Sequence, residues 1–207
     1  MPKLKPRASN SVFINCPFDR AYQPFLGALV FSVYACGFTP RCALEIQDAS
    51  QTRIDKIFRI IAECRYGIHD ICRTEPDPVT SLPRFNMPLE LGIFLGAKHF
   101  GDQRQKQKVC LILDRDKYRY QTFISDIAGQ DITAHQDRKE ELVKVVRDFL
   151  RNASRRTTIP GHLDILNRYN QFTMDLPAIC ARLGHDPGTL NYNDYSTIAS
   201  EWLLALP

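Results

Sequence analysis

Hydrophobic positions along the chain alternate between two patterns. Short apolar runs at residues 11–16, 38–44, 66–71 and 108–113 read as buried strands, and Gly129-Gln130-Asp131-Ile132-Thr133 leads into a fifth, shorter one. Between them apolar residues recur three and four apart. Residues 20–36 carry Tyr22, Phe25, Leu26, Leu29, Val30 and Val33 at that spacing, with Asp19 as cap and Gly37 as stop. Residues 50–64, opened by Ser50, set Ile54, Ile57, Phe58 and Ile61 against Arg53, Asp55, Lys56 and Arg59. A helix from Pro88 to about residue 99 follows, then a short one at 118–127. Another runs from Asp137 to about residue 152 with Leu142, Val145, Val146 and Phe149 as its stripe.

This alternation of strand and helix predicts an α/β fold: a doubly wound, parallel, five-stranded sheet with helices on both faces. Residues 1–10 read as a flexible basic arm, 11–152 as the α/β domain, and 153–160 as a linker. Helices near 161–183 and 193–205, separated by His185-Asp186-Pro187-Gly188, form a C-terminal helical extension, 153–207, packed on the core or on a partner. Such helices leave a homo-oligomer or a partner protein open as expectations.

Composition narrows the classes. At 207 residues, 44% of them hydrophobic, the chain has enough material for one core and does not resemble a disordered protein. The net charge of +4 comes partly from Lys3, Lys5 and Arg7, so a nucleic-acid partner is not indicated. No apolar run has the ~18–20 residues of a membrane span, and no signal peptide is visible. The seven cysteines contain no C-x-x-C pair and sit in apolar contexts, which predicts reduced thiols and a cytoplasmic setting. His135, His162 and His185 have no companions at metal-ligand spacing, so no metal is expected.

In a doubly wound sheet, ligands bind outside the carboxyl ends of the strands, and the polar residues of this sequence gather there. Asn15-Cys16-Pro17-Phe18-Asp19 follows the first strand and can offer the Asn15 amide, backbone N–H groups and the Phe18 ring to a ligand. It lacks the glycines of a dinucleotide fingerprint or a P-loop. His69 and Asp70 end the third strand, where Asp70 could hold a sugar hydroxyl or orient a water. A long loop, 73–86, brings Arg84 and Asn86 to the start of the next helix. There Pro88 fits the first turn, with Asn86 or Met87 as cap. Glu90 follows among Leu89, Leu91, Ile93, Phe94 and Leu95, where the helix dipole would favour its anion. Gly92 and Gly96 predict close approach of that helix to the sheet or to another helix. Ser125 and Asp126, after the fourth strand, could line the far side of a pocket. No G-x-S-x-G elbow or Cys/His pattern indicates a nucleophilic hydrolase.

With Asn15–Asp19, Asp70 and Pro88-Leu89-Glu90-Leu91-Gly92 in hand, residues 11–150 resemble the nucleoside 2-deoxyribosyltransferases and the related TIR-like N-glycosidases, many of them in bacterial anti-phage systems. The resemblance implies a flavodoxin-like fold, with Glu90 as catalytic glutamate and Asp70 as a sugar-side contact. It places Asn15, Phe18 and Asp19 in the substrate loop. It implies N-glycosidase chemistry on NAD⁺ or a related nucleotide or nucleoside, with NAD⁺ as substrate and no cofactor. Phe18 or Tyr22 would stack on the base. The first loop reads Asn-Cys-Pro-Phe-Asp where the transferases usually have Gly-Pro, which favours bond cleavage over deoxynucleoside transfer. The alternatives are a nucleotide-sensing module without turnover and a signalling scaffold in which Glu90 only complements the dipole.

Overall fold

The computed structural model describes residues 10–77, 79 and 81–206. The basic arm expected over residues 1–10 lies outside the described residues except for Asn10. The five strands are β1 (Ser11–Asn15), β2 (Thr39–Arg41), β3 (Tyr66–Asp70), β4 (Val109–Asp114) and β5 (Ile132–Ala134). They pair in parallel in the order β2-β1-β3-β4-β5. This is a flavodoxin-like α/β fold, and the direction in which successive strands are added to the sheet reverses between β1 and β3. The register sets Asn15 beside His69 at that switch point, where such sheets hold ligands.

The central strands β1 and β3 are buried along their whole length because helices cover both faces, whereas the edge strands β2 and β5 are only partly buried. Val12, Ile14, Cys16, Tyr66 and Ile68 face one side, packing under α1 (Gln23–Ala35) and α4 (Lys139–Ser154). Phe13 faces the other, against Ile57, Ile60 and Ile61 of α2 (Arg53–Glu63) and Phe94 of α3 (Asn86–Phe100). Side chains alternate across a strand, so His69 and Asp70 at the end of β3 serve opposite faces.

Helix α1 is buried on all sides from Leu26 to Val33, since α5 (His162–Leu183) and α6 (Tyr192–Leu204) cover the flank it turns away from the sheet. Phe31 stacks on Phe172 with ring centroids 5.2 Å apart, and Trp202 closes on Phe31 at 5.9 Å. Burying each phenylalanine contributes roughly 1.5–3 kcal/mol. The extension therefore belongs to the core. Gly27 permits the approach, because a Cβ there would meet Tyr195 Oη at 2.8 Å. The expected linker is anchored too. Helix α4 runs to Ser154, and Arg156 then donates to Gly37 O at 2.9 Å and Asn10 Oδ1 at 2.7 Å.

Several local expectations are corrected. Thr52, not Ser50, caps α2, accepting from Asp55 N. Asp137 does not cap α4, which starts after Arg138 with Glu140 and Glu141 in its first turn. The 118–127 segment is two short 3-10 turns, Arg119–Thr122 and Ser125–Ile127. Helix α3 begins at Asn86, with Phe85 in the cap position and no side-chain cap. Its glycines make no close approach: a Cβ on Gly92 or Gly96 would meet nothing within 4 Å.

Candidate active site

Two polar clusters form at the carboxyl edge, one on each face. On the α2–α3 face, the Asn15 amide nitrogen donates to Met87 O at 2.8 Å and contacts His69 Nδ1 at 3.0 Å. The carbonyl can only accept, so it fixes the amide orientation, and His69 Nδ1 must accept as well. The proton of His69 is then on Nε2, which is buried without a partner beside the Phe94 ring. Burial, then Lys108, lowers the His69 pKa to about 3, so the ring is neutral. Gly67 makes room for it, as a Cβ there would lie 2.7 Å from Nε2. Asn15 and His69 thus tie the ends of β1 and β3 to the first turn of α3.

Glu90 lies one turn beyond Met87, on the same buried side of α3. It is 4% exposed, and among the described residues no hydrogen bond or ion pair reaches its carboxylate. The dipole argument does not hold in its expected form. The helix starts at Asn86, so Glu90 falls outside the first turn, where the dipole effect fades. Burial instead pushes its carboxyl from the ordinary 4.5 up to about 7, with Arg53 pulling weakly the other way. A carboxyl so placed is part acid and part anion at neutral pH, the state suited to acid–base work.

At the same edge of the sheet, the loops after β1 and β3 form an open cleft of about 210 Å³, lined by Asp19, Arg73, Glu75, Asp77 and Arg84 among others; Glu90 is not part of its lining. Asp19 Oδ1 accepts from Tyr22 N at 3.1 Å, and its other oxygen lies 3.9 Å from Arg73 Nε. Arg119 ties the segment after β3 to the end of β4 by donating to Thr74 Oγ1, Ile71 O and Asp114 Oδ1. Phe18 is half-buried, with the Arg53 guanidinium 5.8 Å from its ring centre. Arg84 and Asn86 are exposed at the entry to α3.

The second cluster, on the α1–α4 face, is centred on Asp70, which is fully buried. The Tyr22 hydroxyl donates to Asp70 Oδ2 and Cys72 N donates to Oδ1 at 3.0 Å. His135 Nε2 lies 3.2 Å from Oδ2 without an aligned hydrogen bond. On the ring's other side, Asp137 N donates to Nδ1 at 3.1 Å. Burial alone would lower the His135 pKa, and Asp70 reverses the sign, holding it above the ordinary value.

The structure therefore divides the sequence-predicted site. Asn15 and His69 join the α3 entry near Glu90. Asp19 and Arg84 line the open cleft at the same edge, whereas Phe18 and Asn86 are not among its lining residues. Asp70 faces away, enclosed by partners, which corrects its expected contact with a sugar. Tyr22 cannot stack on a base, being 2% exposed with its hydroxyl on Asp70. Ser125 and Asp126 are exposed, and no hydrogen bond or ion pair among the described residues links them to Glu90. Sequence reasoning missed Cys72, His135, Arg53 and Arg73, for which linear spacing carries no signal. No family model matches the chain, and neither the curated proteins nor the solved structures contain a match to it.

Proposed function

We propose that the protein is an N-glycosidase-type enzyme that cleaves the base–sugar bond of NAD⁺ or a related nucleotide or nucleoside, with Glu90 as its reacting carboxylate. One observation carries this reading. Glu90 is a buried carboxyl without a partner at the ligand-binding edge of a flavodoxin-like sheet, held near neutrality by desolvation. In cleavage, the C1′–N bond breaks with its electron pair leaving on the base. The sugar becomes oxocarbenium-like, and a carboxylate against C1′ stabilises that charge or bonds to it. Water then supplies the new C1′–O bond and releases its proton. A cationic sugar–base pair would lower the Glu90 pKa on binding and favour the anion. Nicotinamide departs as a neutral molecule and needs no proton. Asn15 and His69 hold the α3 entry in place. Asp70 acts as a positioning residue through β3.

The test is release of free base from a panel of NAD⁺, nucleosides and nucleoside monophosphates. Glu90→Gln is expected to lower turnover by roughly 10²–10⁴-fold, with its circular dichroism unchanged. Undiminished turnover in that variant overturns the assignment. The wild-type rate should also rise with pH through about 7, following the Glu90 anion. A second reading, ligand binding without turnover, draws support from Asp70, whose two oxygens are already taken by the Tyr22 hydroxyl and Cys72 N. It predicts nucleotide-dependent thermal stabilisation with no product.

A further inference from the structure

The buried cluster on the α1–α4 face touches no reacting atom in the proposed reaction, and its donors suit another purpose. Asp70, Cys72 and His135 form a group whose ligand-type atoms all lie within 4.8 Å of one another. His135 is 0% exposed, yet its Nε2 points at this group without a hydrogen-bond partner, 3.2 Å from Asp70 Oδ2. Buried imidazole nitrogens are ordinarily satisfied. Asp70 is also held as a ligating carboxylate would be, with Oδ1 fixed by Cys72 N and Oδ2 by the Tyr22 hydroxyl. The backbone after His135 is strained. Gln136 and Asp137 are consecutive non-glycine residues at φ +55° and +50°, in the left-handed region that side chains disfavour. That turn places the Asp137 amide 3.1 Å and its carboxylate 3.8 Å from His135 Nδ1, orienting the ring from behind.

We propose that Asp70, Cys72 and His135 form a site for a borderline divalent transition-metal ion, with Zn²⁺ as the representative. Asp70 Oδ2, Cys72 Sγ and His135 Nε2 are the ligands. One oxygen, one thiolate and one imidazole suit zinc, whereas Mg²⁺ and Ca²⁺ prefer all-oxygen sets. Charge balances as well: one carboxylate and one thiolate neutralise a divalent ion, which makes burial tolerable. Binding releases the Cys72 thiol proton to solvent. It also moves the His135 proton from Nε2 to Nδ1, where the Asp137 carboxylate replaces the Asp137 amide as partner. Tyr22 remains an outer-shell donor to Asp70. The site joins the end of β3 to the segment following β5, so its role is to lock the carboxyl edge.

The experiment uses the full chain. Protein purified without chelator is assayed for bound metal by mass spectrometry, then stripped and titrated with Co²⁺. About one ion per chain is expected, together with a thiolate-to-Co²⁺ charge-transfer band. Zn²⁺ should raise the melting temperature of the stripped wild type. Cys72→Ser should abolish the band and weaken binding by roughly 100-fold. Cys110→Ser and Glu90→Gln should retain the band, so the metal site and the Glu90 reading stand or fall separately. Stripped wild-type protein that shows neither the band nor a Zn²⁺-dependent melting shift overturns the proposal, as does a band that persists in Cys72→Ser. If Cys72→Ser does not fold, wild-type stoichiometry, band and melting shift decide between the same two outcomes.

Discussion

Asp70 and Glu90 lie at the same edge of one sheet, on opposite faces, and both are almost entirely removed from water. Asp70 accepts from a tyrosine hydroxyl and a backbone amide, with an imidazole nitrogen 3.2 Å away. Glu90 has no such company, and burial drives its carboxyl up to about 7. Burial alone therefore does not separate a structural carboxylate from a reactive one. Partners do: a saturated carboxylate holds its surroundings in place, whereas an unpartnered one holds free energy that a ligand can release.

The largest effect expected from breaking this contrast is at Asp70. Removing its carboxylate by Asp70→Ala strands the Tyr22 hydroxyl, the Cys72 amide and His135 Nε2 in the interior. Leaving such a network half-satisfied should cost about 3–5 kcal/mol, read as a lower midpoint in urea. A loss below about 1 kcal/mol would show that Asp70 is no hub. Glu90 should behave in the opposite sense. Its folded pKa lies above its unfolded value, so between about 4.5 and 7 the native state binds more protons than the unfolded chain. Stability therefore falls as pH rises through that window. Glu90→Gln, which cannot ionise, should be more stable than wild type at pH 8 by roughly 1–3 kcal/mol. The two should converge near pH 4. Equal stability at both pH values would break the claim that Glu90 is held against its preference.

Much of this was legible in the sequence, and what escaped has physical reasons. The strand runs and intervening helices gave the parallel α/β fold because buried strands and amphipathic stripes leave local periodic signals. The polar strand ends were found because the architecture dictates where they lie. Side-chain direction was harder. His69 and Asp70 are neighbours in sequence, yet the strand sends one toward α3 and the other toward α1. The α3 boundary mattered in the same way. Beginning the helix at Asn86 instead of Pro88 puts Glu90 in the second turn, which changes a dipole-stabilised anion into a desolvated acid. His135 has no companion at ligand spacing in the sequence because its companions, Asp70 and Cys72, come from the end of β3 and the segment after it, brought within reach by the β3–β4–β5 order. No spacing rule records that. The burial of α1 on all sides from Leu26 to Val33 comes from α5 and α6 near the other end of the chain, which no local pattern records.

The same comparison of filled and unfilled surroundings extends to the glycines, where the expected effects are smallest. Gly27 and Gly92 both lie inside helices, where glycine is roughly 0.8–1 kcal/mol less favourable than alanine. At Gly27 the cost secures contact with α6, because a Cβ would collide with Tyr195 Oη. At Gly92 and Gly96 a Cβ would enter open space. Alanine at Gly92 should therefore raise stability by about 0.5–1 kcal/mol, chiefly by reducing the freedom of the unfolded chain, with Gly96 responding in the same way. Thermal denaturation at low protein concentration measures this. The substituted face of α3 also carries Leu89, 57% exposed, and Phe100, 91% exposed. A second helix packed over the glycines would meet the new methyl groups, and the sign of the effect would reverse as protein concentration rises. A stabilisation independent of concentration shows instead that the glycines of α3 face water, and that Glu90 is positioned by Met87, Asn15 and the sheet beneath the helix.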